Sequence, residues 1–434
     1  MSESWSQHYA RSIVCQALSR IQCGRLTLAL DYRGQQADKL EFGEKKTSCT
    51  GPDGAVVVTI HDANAWVRLC QAFDLGFAEA YMLKEVDCHD LVGLFSIYLD
   101  NQEALGTGGN VLSQLIPRIS RFIFNPTNTV THARLNASFH YDTSNTLFSS
   151  FLDPTMTYSS AIWSGAPDET LESAQQHKVQ TILDKLRLDE SHHVLDIGCG
   201  WGTLAIEAAR RSGCRVTGIT LSAEQRLLAQ ERVQAAGLQD KVDILLCDYR
   251  HAPRIEGGYH RIVSIEMIEH VGDSHLVTFF ETISDLLDPR AGIMVIQDIV
   301  MAHKVRVVTP DICTFIDRYV FPGGYIPTVN QLLRGIHDGS DGTLEVDSAE
   351  SIGPHYIHTL QCWRQNFLRN WHLIRQDFVS KKQEATEQDI EAHRRRWLYY
   401  FQYCEAGFRA RTIGDIIIVA ARAPWPEIPS NIPH

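Results

Sequence analysis

The chain lacks the features that mark several common protein classes. Its 11 cysteines are odd in number, run from Cys15 to Cys404 and form no CxxC pair. That pattern excludes a zinc site or disulfide framework read from spacing, and fits reduced thiols in an intracellular protein. Positive charge is in deficit: 40 Lys and Arg against 52 Asp and Glu give a formal net charge of −12. Binding to nucleic acid or to an anionic bilayer by bulk charge is therefore excluded, and any membrane contact has to be local and peripheral. Met1 to Ser12 has no apolar core of signal length, and no uninterrupted apolar run is long enough to span a bilayer. A soluble, cytoplasmic protein is expected.

What is present is length enough for two domains, 434 residues with 44% hydrophobic content. The most informative stretch is Val194-Leu195-Asp196-Ile197-Gly198-Cys199-Gly200-Trp201-Gly202. Four apolar-run residues read as a buried parallel strand, three alternating glycines as a tight turn, and Thr203 to Arg211 as a helix. Glycines suit a turn that takes positive φ and lets a nucleotide-like ligand approach the backbone. The dinucleotide fingerprint is missing, because Gly202 follows Gly200 by two residues and not three.

Successive strand ends continue the pattern. A strand over Arg215 to Thr220 ends in Thr220-Leu221-Ser222 with no acid for ribose hydroxyls, which leaves Gln225 as the nearest substitute. The helix that follows, Ala223 to Ala236, carries Leu227, Leu228 and Val233 as an apolar stripe. The strand Val242 to Leu246 ends in Cys247-Asp248-Tyr249, a carboxylate for an amino group and a ring for adenine. The strand Arg261 to Ile265 leads into Glu266-Met267-Ile268-Glu269-His270. Polar groups at the carboxyl ends of successive strands are where an open α/β sheet binds ligands, and this set favours S-adenosylmethionine over a dinucleotide.

Residues 1–130 have a different texture: strands over Arg25 to Leu30 and Ala55 to Ile60, helices over Asn64 to Cys70 and Asp90 to Asp100, a small α+β domain. Gln102 to Gly109 reads as a linker, and Val111 to Phe124 as an apolar helix whose Arg118 and Arg121 suit either lipid headgroups or interdomain packing. Arg394-Arg395-Arg396-Trp397 reads equally as a headgroup contact or a solvated helix face. Thr309 to Pro327, aromatic and bent, fits a cover over an acyl channel. Ile413 to Ala421 reads as a last strand. His355 and His358 could share a helix face, but no histidine pair has a convincing metal-ligand environment, and no metal is expected.

Several further motifs, His140-Tyr141-Asp142, Phe151-Leu152-Asp153-Pro154, Met156-Thr157-Tyr158-Ser159, Met267-Ile268-Glu269-His270-Val271-Gly272, Tyr319-Val320-Phe321-Pro322-Gly323-Gly324, His355-Tyr356-Ile357-His358 and Ala406-Gly407-Phe408-Arg409, occur in order with the glycine turn. Over about residues 131 to 424 the sequence resembles the cyclopropane fatty acid synthase family, which includes the mycolic acid cyclopropane synthases, and within it the plant-type branch. The resemblance implies a class I, Rossmann-like methyltransferase domain over 131–434, with a seven-stranded doubly wound α/β sheet, preceded by a domain associated with lipid engagement and dimer contacts. It implies a homodimer, S-adenosylmethionine as cofactor, and an unsaturated phospholipid or acyl lipid as partner.

By that resemblance Tyr158 and Ser159 bind the methionine carboxylate, Asp196, Gly198, Gly200, Gly202, Thr220, Leu221, Gln225, Asp248, Tyr249 and Ile265 line the rest of the cofactor, and Tyr141 lies over the active site. The chemistry is methylene transfer to a cis double bond, a feeble nucleophile that needs close alignment in a dry pocket and a base for the proton lost on ring closure. In the bacterial members that base is a bound bicarbonate. Its ligand positions here are Ser160 in place of cysteine, Glu269, Gln297 in place of histidine, the Ile299 backbone and Tyr356. Both replacements can donate hydrogen bonds to a planar anion. Glu266 is a second carboxylate candidate. The alternatives are a methyl or methylene branch on a lipid or specialised-metabolite alkene, and a non-catalytic lipid- or cofactor-binding relative.

Overall fold

Alternation of apolar residues along short strands, interrupted by helical stretches with one apolar face, sets the layering. The computed structural model describes residues 3–33, 38–44, 55–105, 144–308 and 314–423, which form two compact units. The first unit takes in the described residues up to Ser144 together with those of 304–322 and 368–410; the second takes in 145–303, 323–367 and 411 onward. A single cut near residue 130 falls outside the described residues, as does Val111 to Phe124.

In the first unit β1 (Leu26–Leu30) pairs antiparallel with β2 (Asp38–Phe42) and parallel with β3 (Val56–Ile60), and β3 pairs antiparallel with β4 (Val86–Cys88), giving the order β2-β1-β3-β4. Leu26, Leu28, Leu30, Val56, Val58 and Ile60 point inward at every second position. The helix expected to stop at Cys70 continues to Met82 past non-helical backbone at Ala72 and Phe73, because its apolar face resumes there. Phe315 and Tyr319, expected over an acyl channel, pack within this unit: Phe315 lies 4.5 Å from the Tyr399 ring, and the Tyr319 hydroxyl bonds Glu79 at 2.8 Å.

The run Arg394 to Trp397 is neither a solvated face nor a headgroup contact. Arg395, Arg396 and Trp397 are buried in the helix Glu387–Arg409. The Arg395 guanidinium bonds the carbonyls of Tyr81 and Val86 and the Asp87 carboxylate, and lies over the Tyr81 ring. Charge spacing along a helix cannot reveal a partner over 300 residues away. Cys199 and Cys214 are free thiols, but Cys23 is disulfide-bonded, against the expectation of thiols throughout; spacing alone does not fix which sulfurs meet.

The second unit holds a seven-stranded sheet of β5 (His193–Ile197), β6 (Arg215–Thr220), β7 (Val242–Leu246), β8 (Arg261–Ile265), β9 (Ile293–Met301), β10 (Leu344–Ser351) and β11 (Ile413–Arg422), in the order β10-β11-β9-β8-β5-β6-β7. The five strands from β9 to β7 are parallel, and β11 runs antiparallel to both of its neighbours. This is the class I methyltransferase sheet expected from the sequence. One face packs Val194, Val216, Val263 and Val295 against the helices Leu171–Leu186 and Thr203–Ser212. The other packs Leu195, Ile262, Met294 and Ile296 against the helices Leu276–Leu286 and Val329–Gly339. In the helix after β6 the buried face is narrower than expected: Ala229 and Val233 are covered, whereas Leu227 is exposed.

Among the described residues no helix is long and apolar enough to cross a membrane. Because β5 to β9 are parallel, their carboxyl ends lie along one edge of the sheet.

Candidate active site

The glycine turn closes β5 at that edge. Gly198 and Cys199 donate their N–H groups to the Ile219 carbonyl of β6, at 2.9 and 3.0 Å. Gly200 has φ +53°, and a Cβ built there would meet nothing within 4 Å, so its Cα borders open space. Gly202 caps the next helix without a side-chain hydrogen bond, which leaves the helix entrance to a ligand's acceptors. Beside the turn, Asp196 is buried and its Oδ2 has no hydrogen-bond partner. Burial raises its pKa to about 7, opposed by the charge of Lys178. An uncapped helix start, an open glycine and an acid lacking a donor fit S-adenosylmethionine, whose amino group and sulfonium would meet the acid.

The neighbouring strand ends are placed as the sequence predicts but are already engaged. The Thr220 hydroxyl donates to Gln225 Oε1 at 2.8 Å, and Leu221 is exposed. Asp248 accepts the Arg250 N–H and, through both oxygens, its guanidinium; this pairing holds its pKa down to about 2. Tyr249 meets Phe279 edge-on at 5.0 Å.

Across the edge, Ser159 and Tyr158 lie in the segment preceding the helix Leu171–Leu186. Tyr158 packs 5.0 Å from Phe148 and 5.2 Å from Trp363. Ser159 Oγ accepts a 2.6 Å bond from Lys178 Nζ, and the Ser159 carbonyl accepts from Gln175. Lys178, on the apolar face of that helix, is buried. Burial lowers its pKa, and the charges of Glu266 and Asp415 are the chief opposing influences.

The acidic side of the site is denser than the sequence indicated. Glu266 follows Ile265 at the end of β8 in a left-handed conformation, φ +46°. Its Oε1 accepts the Ser160 N–H at 2.8 Å and Gln297 Nε2 at 3.0 Å, and its Oε2 accepts the Tyr356 hydroxyl at 2.6 Å. Gln297 Nε2 also donates to Asp415 Oδ2 at 2.9 Å. Gln297 and Asp415 share one face of the β9–β11 ladder because Gln297 pairs with Ile417, two residues along. Glu269 Oε1 accepts the Ile299 N–H at 3.1 Å, while its buried Oε2 has no N–H donor and its carboxyl lies within hydrogen-bonding reach of that of Asp298. Asp298 Oδ1 accepts the Ile268 N–H at 3.2 Å.

Burial pushes all four carboxyls up. Glu266 rises to about 7, with the charge of Glu269 adding to burial while the bonds from Tyr356 and Ser160 oppose it. Glu269 is raised by burial. Asp298 and Asp415 stand well above the usual carboxylate range, from burial first and then from neighbouring acids.

The structure thus gathers Ser160, Glu269, Gln297, Ile299 and Tyr356, the five positions expected to hold an anion. Tyr141 lies outside the described residues. His355 Nδ1 accepts the Trp163 N–H at 3.1 Å. Sequence reasoning missed Lys178, Asp298 and Asp415. Lys178 left one signal, a lysine in register with Leu171, Ala174 and Ile182 on an otherwise apolar face; Asp298 and Asp415 left the same one, an acid inside each of two apolar strands.

The sequence matches the mycolic acid cyclopropane synthetase family over residues 128–417. It is 36% identical over 369 residues to the tuberculostearic acid methyltransferase UfaA1 of Mycobacterium tuberculosis, a match covering 81% of this chain and 80% of that protein. It is 34% identical over 366 residues to the cyclopropane-fatty-acyl-phospholipid synthase of Escherichia coli K12, covering 82% and 85% respectively. Among solved structures it is similar to the mycolic acid cyclopropane synthase CmaA1 complexed with SAH and CTAB, at 28% identity and a TM-score of 0.56, covering 67% of this chain and 98% of that one.

Proposed function

Because the chain belongs to the mycolic acid cyclopropane synthetase family of S-adenosylmethionine-dependent methyltransferases, we propose that it adds a methylene bridge across the cis double bond of an unsaturated acyl chain on a phospholipid. The observation that carries this reading is the pair of partly buried carboxylates, Glu266 and Glu269, on the sheet edge that also bears the glycine turn. A simple methyl transfer to nitrogen or oxygen needs at most one base; attack by an alkene leaves a carbon cation, which fixed negative charge stabilises as it forms. The cofactor, when bound, supplies an electrophilic methyl group on sulfur. Glu269, held by the Ile299 N–H and set beside the Asp298 carboxyl, would meet a developing cation with little reorganisation, and the rings of Tyr158, Trp363 and Tyr356, packed against one another, offer faces that favour cations.

A second reading, a methyl or methylene branch on the same kind of acyl chain, is favoured by the similarity to the tuberculostearic acid methyltransferase. Incubation with mixed unsaturated phospholipids, followed by mass spectrometry and NMR of the lipids, tests both. The proposal expects a gain of one CH2 with cyclopropane ring protons. An exocyclic alkene, or a saturated methyl branch once a hydride donor is added, replaces it with the second reading, and failure to form S-adenosylhomocysteine with every unsaturated lipid overturns both. Glu269→Gln is expected to lower kcat by about 100-fold or more while S-adenosylmethionine still binds.

A further inference from the structure

Three of the groups assigned by resemblance to a bound bicarbonate do not face an open anion site. The Ser160 N–H, the Gln297 amide and the Tyr356 hydroxyl all converge on one side chain, Glu266. Ser160 Oγ is turned toward the Ala161 carbonyl at 3.1 Å. Bicarbonate therefore does not fit the site as built: its donors are taken, and a second anion would sit against the charges of Glu266 and Glu269. We propose that the Glu266 carboxylate is itself the anion of this site, a covalently held base that makes added bicarbonate unnecessary and receives the proton released on ring closure. The proposal rests on the acceptor chemistry given above.

The geometry matches the task. A carboxylate and a bicarbonate present the same planar O–C–O edge, with about four lone-pair positions for donors. Three are filled here, two on Oε1 and one on Oε2, and the Asp415 carboxyl lies within hydrogen-bonding reach of the same carboxylate; the proton of ring closure would be received on the Oε2 side. The electron count closes: the alkene π pair forms the first C–C bond as the S–CH3 bond breaks; a C–H pair of that methyl then forms the second C–C bond, and its proton passes to Oε2. Glu266 is also held in a left-handed backbone conformation that is strained outside glycine, anchored by its N–H on the Gln297 carbonyl at 2.7 Å. A base perched near neutral pH suits proton abstraction, and burial and the charge of Glu269, opposed by the bonds from Tyr356 and Ser160, place Glu266 there.

The test compares the wild-type protein with Glu266→Gly, since glycine accepts the positive φ and leaves a carboxylate-sized gap. In carbon-dioxide-depleted buffer the wild-type rate is expected to change less than about 2-fold on adding bicarbonate. Glu266→Gly is expected to lose about 100-fold or more and to recover at least about 10-fold with formate or bicarbonate. Independently of turnover, 13C-labelled bicarbonate is expected to broaden in NMR with the glycine variant and not with the wild type. A wild type that requires or binds bicarbonate, or a glycine variant that works without any added anion, overturns the proposal. Tyr356→Phe is the second variant, expected to stay bicarbonate-independent. If no unsaturated lipid turns over, the acceptor reading falls, and the 13C comparison still decides the role of Glu266.

Discussion

Tyr356 is where a single atom should tune the site. Its hydroxyl donates 2.6 Å to Glu266 and so favours the charged form. As a base, Glu266 works deprotonated, so kcat/KM is expected to rise with pH through about 7 and to level off above it. Removing a hydrogen bond to a charged group costs about 1.5 kcal/mol, roughly one pKa unit. Tyr356→Phe should therefore move this acid limb to higher pH by about one unit, while the plateau falls less than the rate at pH 6. A limb that stays in place in a pH–rate profile would show that the rate reports another group. Sequence gave Tyr356 and Glu269 their importance, but it ranked Glu266 behind Glu269. The ranking fails because i, i+3 neighbours look alike in a string, whereas the turn after β8 sends one carboxylate to the Ser160 N–H and the other to the Ile299 N–H.

Elements were legible where local pattern decides them. The strands β5 to β8 and the glycine turn stand within a residue or two of their expected limits, because buried apolar runs bounded by turns have few other solutions, whereas β9 was not foreseen. The turn makes its own prediction. Gly200 has φ +53° and open space at its Cβ position, so Gly200→Ala adds a methyl group where a ligand would lie, with about 1 kcal/mol of backbone strain. Calorimetry is expected to show at least a tenfold loss of S-adenosylmethionine affinity with only a small fall in Tm. Equal affinity would remove the turn from the cofactor site. The helix Glu387–Arg409 was less legible, because the partner of Arg395 comes from β4, far away in sequence. There Arg395→Met strands the Tyr81 and Val86 carbonyls and leaves Asp87 with His61 alone, and is expected to cost about 3 kcal/mol in denaturant unfolding of the first unit.

For the molecule as a whole, gathering acids in a buried site should make stability depend on pH in an unusual direction. A carboxyl whose native pKa lies above its unfolded value gives stability that is complete below the unfolded value and is lost as pH rises through the native one. Asp196 and Glu266 sit at about 7, and Asp298 and Asp415 well above the ordinary range. Two effects oppose them in other windows. Burial lowers His193 and His355 from 6.5, which adds stability only as pH rises toward that value. Asp248, held at about 2, matters only below its ordinary 3.8. Lys178, lowered by burial, opposes the raised acids as pH climbs toward its ordinary 10.5, but it is one group against several, and Tm is expected to fall between pH 6.5 and 8. Each carboxyl still protonated in the native state contributes about 1.4 kcal/mol per pH unit. Asp298 is the clean probe, being fully buried with its Oδ1 on the Ile268 N–H. Asn at that position keeps this acceptor and reproduces the neutral carboxyl, but has no proton to lose on unfolding. Asp298→Asn is expected to flatten the pH dependence of urea unfolding between pH 6.5 and 8, by at most about 1.4 kcal/mol per unit; an unchanged slope would mean that Asp298 is ionised in the native protein and that its neighbours carry the shared protons.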